Sequence, residues 1–150
     1  MIKVMFVCLG NICRSPMAEY IFRKLVSERG GDFVIASSAT SSEEAGNRVY
    51  PPAAAMLAQH GIHCQDKRAV RFTRSDYDAY DVIVCMERRN VSSLERMLGG
   101  DPDGKICRLL DFTDAPRDIA DPWYTRDFKT AYAEIAEGCQ AFYETLTKQN

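Results

Sequence analysis

The chain has 150 residues, is 46% hydrophobic and carries a formal net charge of −2, with acidic and basic residues interspersed. A chain of this length is expected to fold as one domain that buries about two thirds of the surface its unfolded form exposes. The small net charge and the absence of a basic stripe argue against nucleic acid or an anionic membrane as a main partner, and we expect neither.

The first apolar run covers Ile2 to Val7 and is interrupted only by Lys3, which predicts a strand of a parallel sheet covered on both faces. Cys8 follows at the carboxyl end of this strand. Ser15 is a favoured N-cap residue and Pro16 suits the first helical position, so the sequence predicts a helix that begins at Pro16.

Residues 8–15, between the predicted strand and helix, have the spacing of a phosphate-binding loop with a nucleophile at its base. Cys8 is followed by five residues and then by Arg14 and Ser15. Five residues let the backbone curl so that its N–H groups point at one oxyanion, and an arginine can clamp two oxygens of that anion. The positive N-terminal end of the helix would favour Cys8 as a thiolate, the form that attacks.

The rest of the chain alternates strand and helix patterns, which predicts a doubly wound α/β domain. In open sheets of this kind ligands bind beyond the carboxyl ends of the strands, where Cys8 lies. Further strands are predicted at 33–37, 81–86 and 105–110, and helices at 52–59, 87–98 and 127–147.

Six cysteines occur without an export signal and without a long apolar span, so we expect free thiols and a cytoplasmic protein. No close group of cysteines and histidines has the spacing of a zinc site. The sequence therefore predicts neither a metal nor another cofactor, and it leaves the oligomeric state open.

Residues 7–19, Val-Cys-Leu-Gly-Asn-Ile-Cys-Arg-Ser-Pro-Met-Ala-Glu, resemble the signature of the low-molecular-weight protein tyrosine phosphatases. The resemblance extends through residues 37–47, 80–86 and 121–124 and covers nearly the whole chain. It implies a single domain over residues 1–150, with a three-layer, doubly wound architecture and a four-stranded parallel sheet flanked by helices. It also implies cofactor-free hydrolysis of phosphotyrosine and aryl phosphate monoesters through a cysteinyl-phosphate, with phosphotyrosine-containing proteins or peptides as substrates.

Carried over to this chain, the resemblance makes Cys8 the nucleophile, Arg14 the phosphate clamp, Ser15 a hydrogen-bond donor to the sulfur and Asp121 the shared acid and base. Pro122 would keep Asp121 extended and help to fix its loop. The residues expected to surround the substrate are Leu9, Gly10, Asn11, Ile12, Cys13, Trp123 and Tyr124, with Asn11 and Ser37 also bracing the loop.

Three further expectations concern residues around this site. Cys13 either captures an oxidised Cys8 as a disulfide or only packs beneath the loop. Lys67 stands where many family members have a histidine that braces the loop, and it is either part of that network or a surface charge. Glu43 and Glu44 would make one rim of the cleft acidic.

Three alternatives are weighed against a tyrosine phosphatase. Protein-arginine phosphatases of this fold usually carry threonine at the position of Ile12. An arsenate reductase would need two further cysteines downstream, and the relevant stretch has only Cys85, with Ser92 at the place of its partner. A catalytically silent phosphotyrosine-binding module would be expected to lack Cys8 or Asp121, and the chain has both.

Overall fold

The structure is a computed structural model and describes residues 1–148. Its strands are β1 (Ile2–Cys8), β2 (Phe33–Ala39), β3 (Val82–Cys85) and β4 (Ile106–Arg108). Its α-helices are α1 (Arg14–Arg29), α2 (Pro51–Ala58), α3 (Arg74–Ala79), α4 (Arg88–Leu98), α5 (Pro122–Thr125) and α6 (Phe128–Lys148), and a 3-10 helix covers Leu109–Phe112.

The four strands form one parallel sheet in the order β2-β1-β3-β4, which confirms the predicted fold class. Alternate residues of β1 face opposite layers of helices. Val4 and Phe6 pack in the cluster that includes α1, α2 and α6, whereas Met5 and Val7 pack in the cluster that includes α3 and α4. The sheet is therefore the middle of three layers.

Strand β1 lies at the point where the strand order reverses, with β2 on one side and β3 on the other. Crevices that bind ligands open at such points, at the carboxyl ends of the strands. Cys8 is the last residue of β1 and lies opposite Ala39 of β2. The topology therefore places this thiol at the mouth of the crevice.

The N-cap prediction for Ser15 is wrong. Helix α1 begins at Arg14 with Cys13 as its N-cap, and among residues 1–148 no side chain caps it. Ser15 lies inside the first turn, and its hydroxyl bonds to Cys8 and Asn11 instead. An uncapped helix start leaves its first backbone N–H groups available to an anion.

Other elements differ from the expectation at their ends. Strand β4 is shorter than predicted because Arg108 N and Arg108 Nε donate to Asp111 and turn the chain into the 3-10 helix. Helices α3 and α5 were not predicted, since six and four residues are too few to show a helical period.

All six cysteines are free thiols, as expected. Within residues 1–148, no helix combines the length and apolarity needed to cross a membrane.

The predicted single domain includes residues 149–150, which lie outside the described residues.

Candidate active site

The phosphate loop, residues 9–13, joins β1 to α1 and is held at its two ends by backbone hydrogen bonds from two neighbouring segments. Thr40 N donates to Cys8 O at 3.0 Å, and Ser41 N donates to Leu9 O at 3.1 Å. On the other side Tyr50 N donates to Ile12 O at 2.8 Å. These contacts fix the loop from outside before any ligand binds.

The curl of the loop depends on Asn11, which has a left-handed backbone with φ of 58°. Asparagine tolerates this conformation better than most residues. It lets Asn11 N donate to Cys8 Sγ at 3.3 Å, so the loop folds back over the thiol.

Arg14 is 2% exposed and bonds to three groups from distant parts of the chain. Its Nη1 donates to Ile119 O at 2.8 Å and to the Glu87 carboxylate, and its Nη2 donates to Asp121 Oδ2 at 3.3 Å. Burial alone would lower the pKa of Arg14, but the negative charges of Cys8, Asp121 and Glu87 raise it. Arg14 is therefore a fixed cation aimed at the thiol and the acid.

A chain of hydrogen bonds runs from the Cys8 thiol to the buried Glu19. Cys8 Sγ lies 3.0 Å from Ser15 Oγ. Asn11 Nδ2 donates to Ser15 Oγ at 2.8 Å and to Ser37 Oγ at 3.0 Å. Ser37 Oγ donates in turn to Glu19 Oε1 at 2.6 Å.

The direction of this chain of hydrogen bonds is set by Asn11, which lies in its middle. Val70 N donates to Asn11 Oδ1 at 3.1 Å, which orients the Asn11 amide so that its NH₂ group faces both serines. Since Ser15 accepts from Asn11, its own proton is directed at Cys8 Sγ or at Ser38 O, which is 3.4 Å away. The nearer acceptor is the sulfur, so the Ser15 hydroxyl is placed to donate to Cys8 Sγ.

Lys67 belongs to this network and is not a surface charge. Its Nζ donates to Ser37 O at 2.9 Å and lies 3.8 Å from Glu19 Oε1, and Arg23 binds the other Glu19 oxygen at 2.8 Å. Burial lowers the pKa of Lys67, while the charges of Glu19 and Cys8 act in the opposite direction. Lys67 and Arg23 thus place two positive charges beside Glu19, whose Oε1 accepts the hydrogen bond from Ser37 Oγ.

Asp121 is the N-cap of α5 and has an extended backbone, with φ of −75° and ψ of 113°. Its Oδ1 accepts from Trp123 N at 3.0 Å, and Pro122 occupies the first helical position. The second oxygen, Oδ2, faces Arg14. One carboxylate oxygen therefore holds the short helix while the other points into the site.

The cleft above the thiol is open on one side and has an acidic and an aromatic wall. Trp123 and Tyr124 are 42% and 72% exposed and form the aromatic part of its lining, while Glu43 and Glu44 form the acidic part. The lining residues are Cys8, Leu9, Gly10, Ile12, Cys13, Arg14, Ser41, Glu43, Glu44, Asp121, Trp123 and Tyr124.

Most of the predicted site residues meet at this cleft, but four lie behind it. Asn11 does not line the cleft, because its side chain is buried in the chain of hydrogen bonds. Ser15, Ser37 and Pro122 are also behind the lining residues. The side chains of these four residues face other parts of the protein, which suits a supporting role. That Asn11 also binds the substrate stays a prediction.

Sequence reasoning did not identify Glu19 or Glu87 as site residues. Glu19 follows Ser15 by four residues, a spacing that places both on one face of α1. Glu87 comes directly after β3 at the edge of the sheet where Cys8 lies. Both signals are present in the sequence, but each becomes informative only once a partner such as Ser37 or Arg14 is known.

Cys13 is buried beside the nucleophile in the same loop. Burial, together with the negative charges of Cys8 and Asp121, raises the pKa of Cys13 to about 12. At neutral pH Cys13 is therefore almost entirely a thiol, and only a small fraction is the thiolate that can attack another sulfur. Within residues 1–148, no three His, Cys, Asp or Glu side chains are grouped so as to hold a metal ion.

The sequence matches one known protein family along nearly its whole length. The model of the low molecular weight phosphotyrosine protein phosphatases matches residues 3–150. The chain belongs to this family. Membership confirms the resemblance drawn from residues 7–19.

Relatives within the low-molecular-weight phosphatase family match along almost their full length. The chain is 40% identical to the low molecular weight phosphotyrosine protein phosphatase of Sus scrofa over 154 residues, covering 96% of this chain and 95% of the relative. It is 36% identical to the low molecular weight protein-tyrosine-phosphatase YfkJ of Bacillus subtilis over 153 residues, covering 99% and 98%. Nearly the whole chain therefore aligns with nearly the whole length of these two relatives.

Solved structures of the family have the same fold as this chain. The crystal structure of YfkJ has a TM-score of 0.95 at 35% identity, over 100% of this chain and 97% of that one. The crystal structure of DARP, a Drosophila arginine phosphatase, has a TM-score of 0.89 at 31% identity, over 97% and 98%. The family fold is thus compatible with more than one phosphorylated side chain.

Proposed function

We propose that this family member hydrolyses phosphotyrosine in proteins or peptides, and other aryl phosphate monoesters, through a cysteinyl-phosphate on Cys8. One observation carries the proposal. Cys8, bonded to Ser15, lies in the same cleft as the Arg14 guanidinium and the Asp121 carboxyl. A nucleophile, an anion clamp and an acid are the three groups that transfer of a phosphoryl group from a phenol to sulfur requires.

In the first step the Cys8 sulfur attacks phosphorus, and the bond from phosphorus to the phenolic oxygen breaks. Arg14 and the uncapped start of α1 hold the phosphoryl oxygens, whose negative charge they compensate. Asp121 gives its proton to the departing phenolic oxygen. The contact between Arg14 and Asp121 supports this role, because it keeps the acid next to the place where phosphate binds.

In the second step a water molecule attacks the phosphoryl group on Cys8, and the sulfur leaves. Asp121, now ionised, takes the proton of the water. Ser15 donates its hydrogen bond to the sulfur as negative charge develops on it, which makes the sulfur a better leaving group. The products are inorganic phosphate and the free thiolate, ready for another substrate.

The shape of the cleft favours an aromatic substrate. Ile12, Trp123 and Tyr124 present apolar surface against which a phenyl ring can pack. Phosphoarginine is the second candidate, because the Drosophila arginine phosphatase is similar along nearly its whole length. Ile12 argues for tyrosine, since a bulky apolar side chain at this place suits a flat ring better than a polar guanidinium.

The proposed cytoplasmic location is supported by the six free cysteines, which are typical of a reducing compartment. The single parallel sheet, covered on both faces by helices drawn from the whole chain, supports the proposal of one domain.

The experiment is turnover of para-nitrophenyl phosphate in excess chelator, followed by kcat/KM for matched phosphotyrosine, phosphoserine and phosphoarginine peptides. We expect activity without added metal, complete loss in Cys8→Ser, and the highest kcat/KM with phosphotyrosine, since a serine hydroxyl at position 8 has no base to activate it. Activity that needs a divalent ion would refute the cysteinyl-phosphate, and a higher kcat/KM with phosphoarginine would replace tyrosine by arginine.

A further inference from the structure

Arg126 has a backbone conformation that its residue type does not favour. It is the C-cap of α5 and has φ of 62°, in the left-handed region. Asn11 is the one other non-glycine residue within 1–148 with positive φ. Glycine is the usual residue at such a position, because a Cβ atom there crowds the backbone. An arginine at this place points to side-chain contacts that keep it there.

The Arg126 side chain makes two hydrogen bonds and lies over two aromatic rings. Its Nη2 donates to the Tyr50 hydroxyl at 3.0 Å, and its Nη1 donates to Trp123 O at 3.3 Å. The guanidinium also lies over two rings, 5.5 Å from the centre of Tyr50 and 5.9 Å from the centre of Phe128. Cations are attracted to ring faces at such distances, so the hydrogen bonds and the rings hold the same group.

Tyr50 connects these contacts to the phosphate loop. Its ring centre is 4.7 Å from that of Trp123, and its backbone N donates to Ile12 O. The three side chains of Tyr50, Trp123 and Arg126, here called the aromatic clamp, thus join the segment that carries Asp121 to the loop that carries the nucleophile. On the far side of the cleft, Arg14 makes the other connection through Ile119 and Asp121.

The acid needs this second connection, because α5 is only four residues long. A single helical turn is not stable on its own. Asp121 accepts from Trp123 N at one end of the turn, and Arg126 N donates to Pro122 O at the other. Anything that lets the turn rotate also moves the carboxyl, and errors of about 1 Å in the placement of a catalytic group can cost roughly a hundredfold in rate.

We propose that Arg126 and Tyr50 are positioning residues. They hold Asp121 over the phosphate loop because the contact between them fixes the C-terminal end of α5. This inference rests on the proposed function and adds to it a pair of residues that lie outside the lining of the cleft. The charge of the Arg126 guanidinium also reaches the phosphate loop. Burial raises the pKa of Cys13 to about 12, and the positive charge of Arg126 acts in the opposite direction on that pKa.

The test uses Arg126→Gly, because glycine suits the left-handed backbone and removes only the side chain. Tyr50→Phe removes the hydroxyl that accepts from Arg126 and keeps the ring. Arg96→Gln is the matched charge control, since Arg96 is exposed on α4 and lies outside the cleft and the aromatic clamp. Each variant is assayed for kcat/KM with phenyl phosphate, a poor leaving group, and with para-nitrophenyl phosphate, a good one.

We expect Arg126→Gly to lose roughly tenfold in kcat/KM with phenyl phosphate and about twofold or less with para-nitrophenyl phosphate, because only the poor leaving group depends on the acid. Tyr50→Phe should show the same pattern to a smaller extent. The double variant should lose no more than Arg126→Gly alone, since both changes break one connection. The thermal midpoint of Arg126→Gly should stay unchanged or rise, and Arg96→Gln should behave like the unaltered chain.

Equal losses with both phosphates, or no loss in either variant, would overturn the positioning role. If the unaltered chain hydrolyses para-nitrophenyl phosphate through Cys8 but the ratio between the two phosphates does not change in Arg126→Gly, only the aromatic clamp is refuted. If the unaltered chain hydrolyses neither phosphate, the proposed function and the clamp fail together.

Discussion

At the scale of single residues, the two oxygens of Asp121 have different partners, and this division suggests how to test the acid. Oδ1 is occupied by the backbone of α5, whereas Oδ2 faces Arg14 and the cleft. Replacement by asparagine keeps an oxygen for the helix cap and removes the transferable proton. The effect of the change on chemistry can therefore be separated from its effect on the loop.

Asp121→Asn should reduce kcat/KM for phosphotyrosine by roughly two to four orders of magnitude, the usual contribution of a positioned general acid. The loss should shrink for phenols that are already acidic, because they leave without protonation. Asp118→Asn is the control, since Asp118 pairs with Arg108 and makes no contact with Arg14. A loss that is equal for good and poor leaving groups would mean that the acid lies elsewhere or that the loop has collapsed.

Cys13 gives a second test at this scale. Peroxide is expected to convert Cys8 to a sulfenic acid, and Cys13 can then attack that sulfur, forming a disulfide and releasing water. Because burial and nearby negative charge raise the pKa of Cys13 to about 12, the fraction of attacking thiolate rises about tenfold with each pH unit below that value. Oxidation also removes the negative charge of Cys8, one of the causes of the raised pKa.

The Cys8–Cys13 disulfide should therefore form faster as pH rises from 6 to 8 at saturating peroxide, as measured by peptide mapping of quenched samples. Cys13→Ala should lose activity irreversibly under the same treatment, and Cys64→Ala, which removes a buried thiol outside the loop, should not. Full recovery of the Cys13→Ala protein with a dithiol would show that Cys13 only packs beneath the loop.

At the scale of secondary-structure elements, β2 presents two adjacent serines to opposite faces of the sheet. Ser37 joins the hydrogen bonds that lead to Cys8, whereas Ser38 donates to Met5 Sδ at 3.2 Å. Both are buried. Replacing either serine by alanine is the same change in size and polarity. Only the change at Ser37 interrupts the hydrogen bonds between Glu19 and Cys8.

Ser37→Ala should slow alkylation of Cys8 by iodoacetamide at pH 6 about three- to tenfold, because the loss of an aligned hydrogen bond next to a charged group costs about 1 kcal/mol. Ser38→Ala should stay within about twofold of the unaltered chain. Equal effects of the two changes would indicate a general loosening of β2 and no specific connection to the thiol.

The elements that carry the nucleophile could be predicted because their signals are local. The apolar run of β1 and the spacing from Cys8 to Arg14 each lie within one short stretch of sequence. The failures have physical reasons. Ser15 has the chemistry of an N-cap, but Cys8 and Asn11 compete for its hydroxyl, and their positions depend on the curl of the loop.

Residues whose roles depend on distant partners could not be found in the sequence. Glu19 depends on Ser37 and Lys67, and Arg126 depends on Tyr50, 76 residues earlier in the chain. A glutamate and an arginine on a helix or loop are in most cases solvated charges. Only the fold brings such partners within hydrogen-bond distance.

At the scale of the whole molecule, the net charge of −2 is small, but the charge at the cleft is uneven. Glu43 is exposed at its rim and Glu44 lines the same wall. Peptides with basic residues beside phosphotyrosine should therefore be cleaved with a kcat/KM about two- to fivefold higher than acidic ones at low salt, since exposed ion pairs contribute up to about 1 kcal/mol.

The preference should weaken in Glu43→Gln and at high ionic strength, because salt screens exposed charges. Glu28→Gln is the matched control, as it makes the same change in net charge near the end of α1 away from the phosphate loop. A preference that persists in Glu43→Gln, or that Glu28→Gln also abolishes, would assign the selectivity to something other than the rim.

The partners of Arg14 have a consequence for the order in which the protein refolds. The phosphate loop is local in sequence, but Arg14 bonds to Glu87, Ile119 and Asp121, which are 73, 105 and 107 residues away. Contacts between distant residues form late, because the entropy of closing so long a loop must be overcome first. A refolding chain can therefore regain its helical circular dichroism well before it turns over substrate. The delay between these two signals measures how long the last third of the chain takes to form its contacts with Arg14.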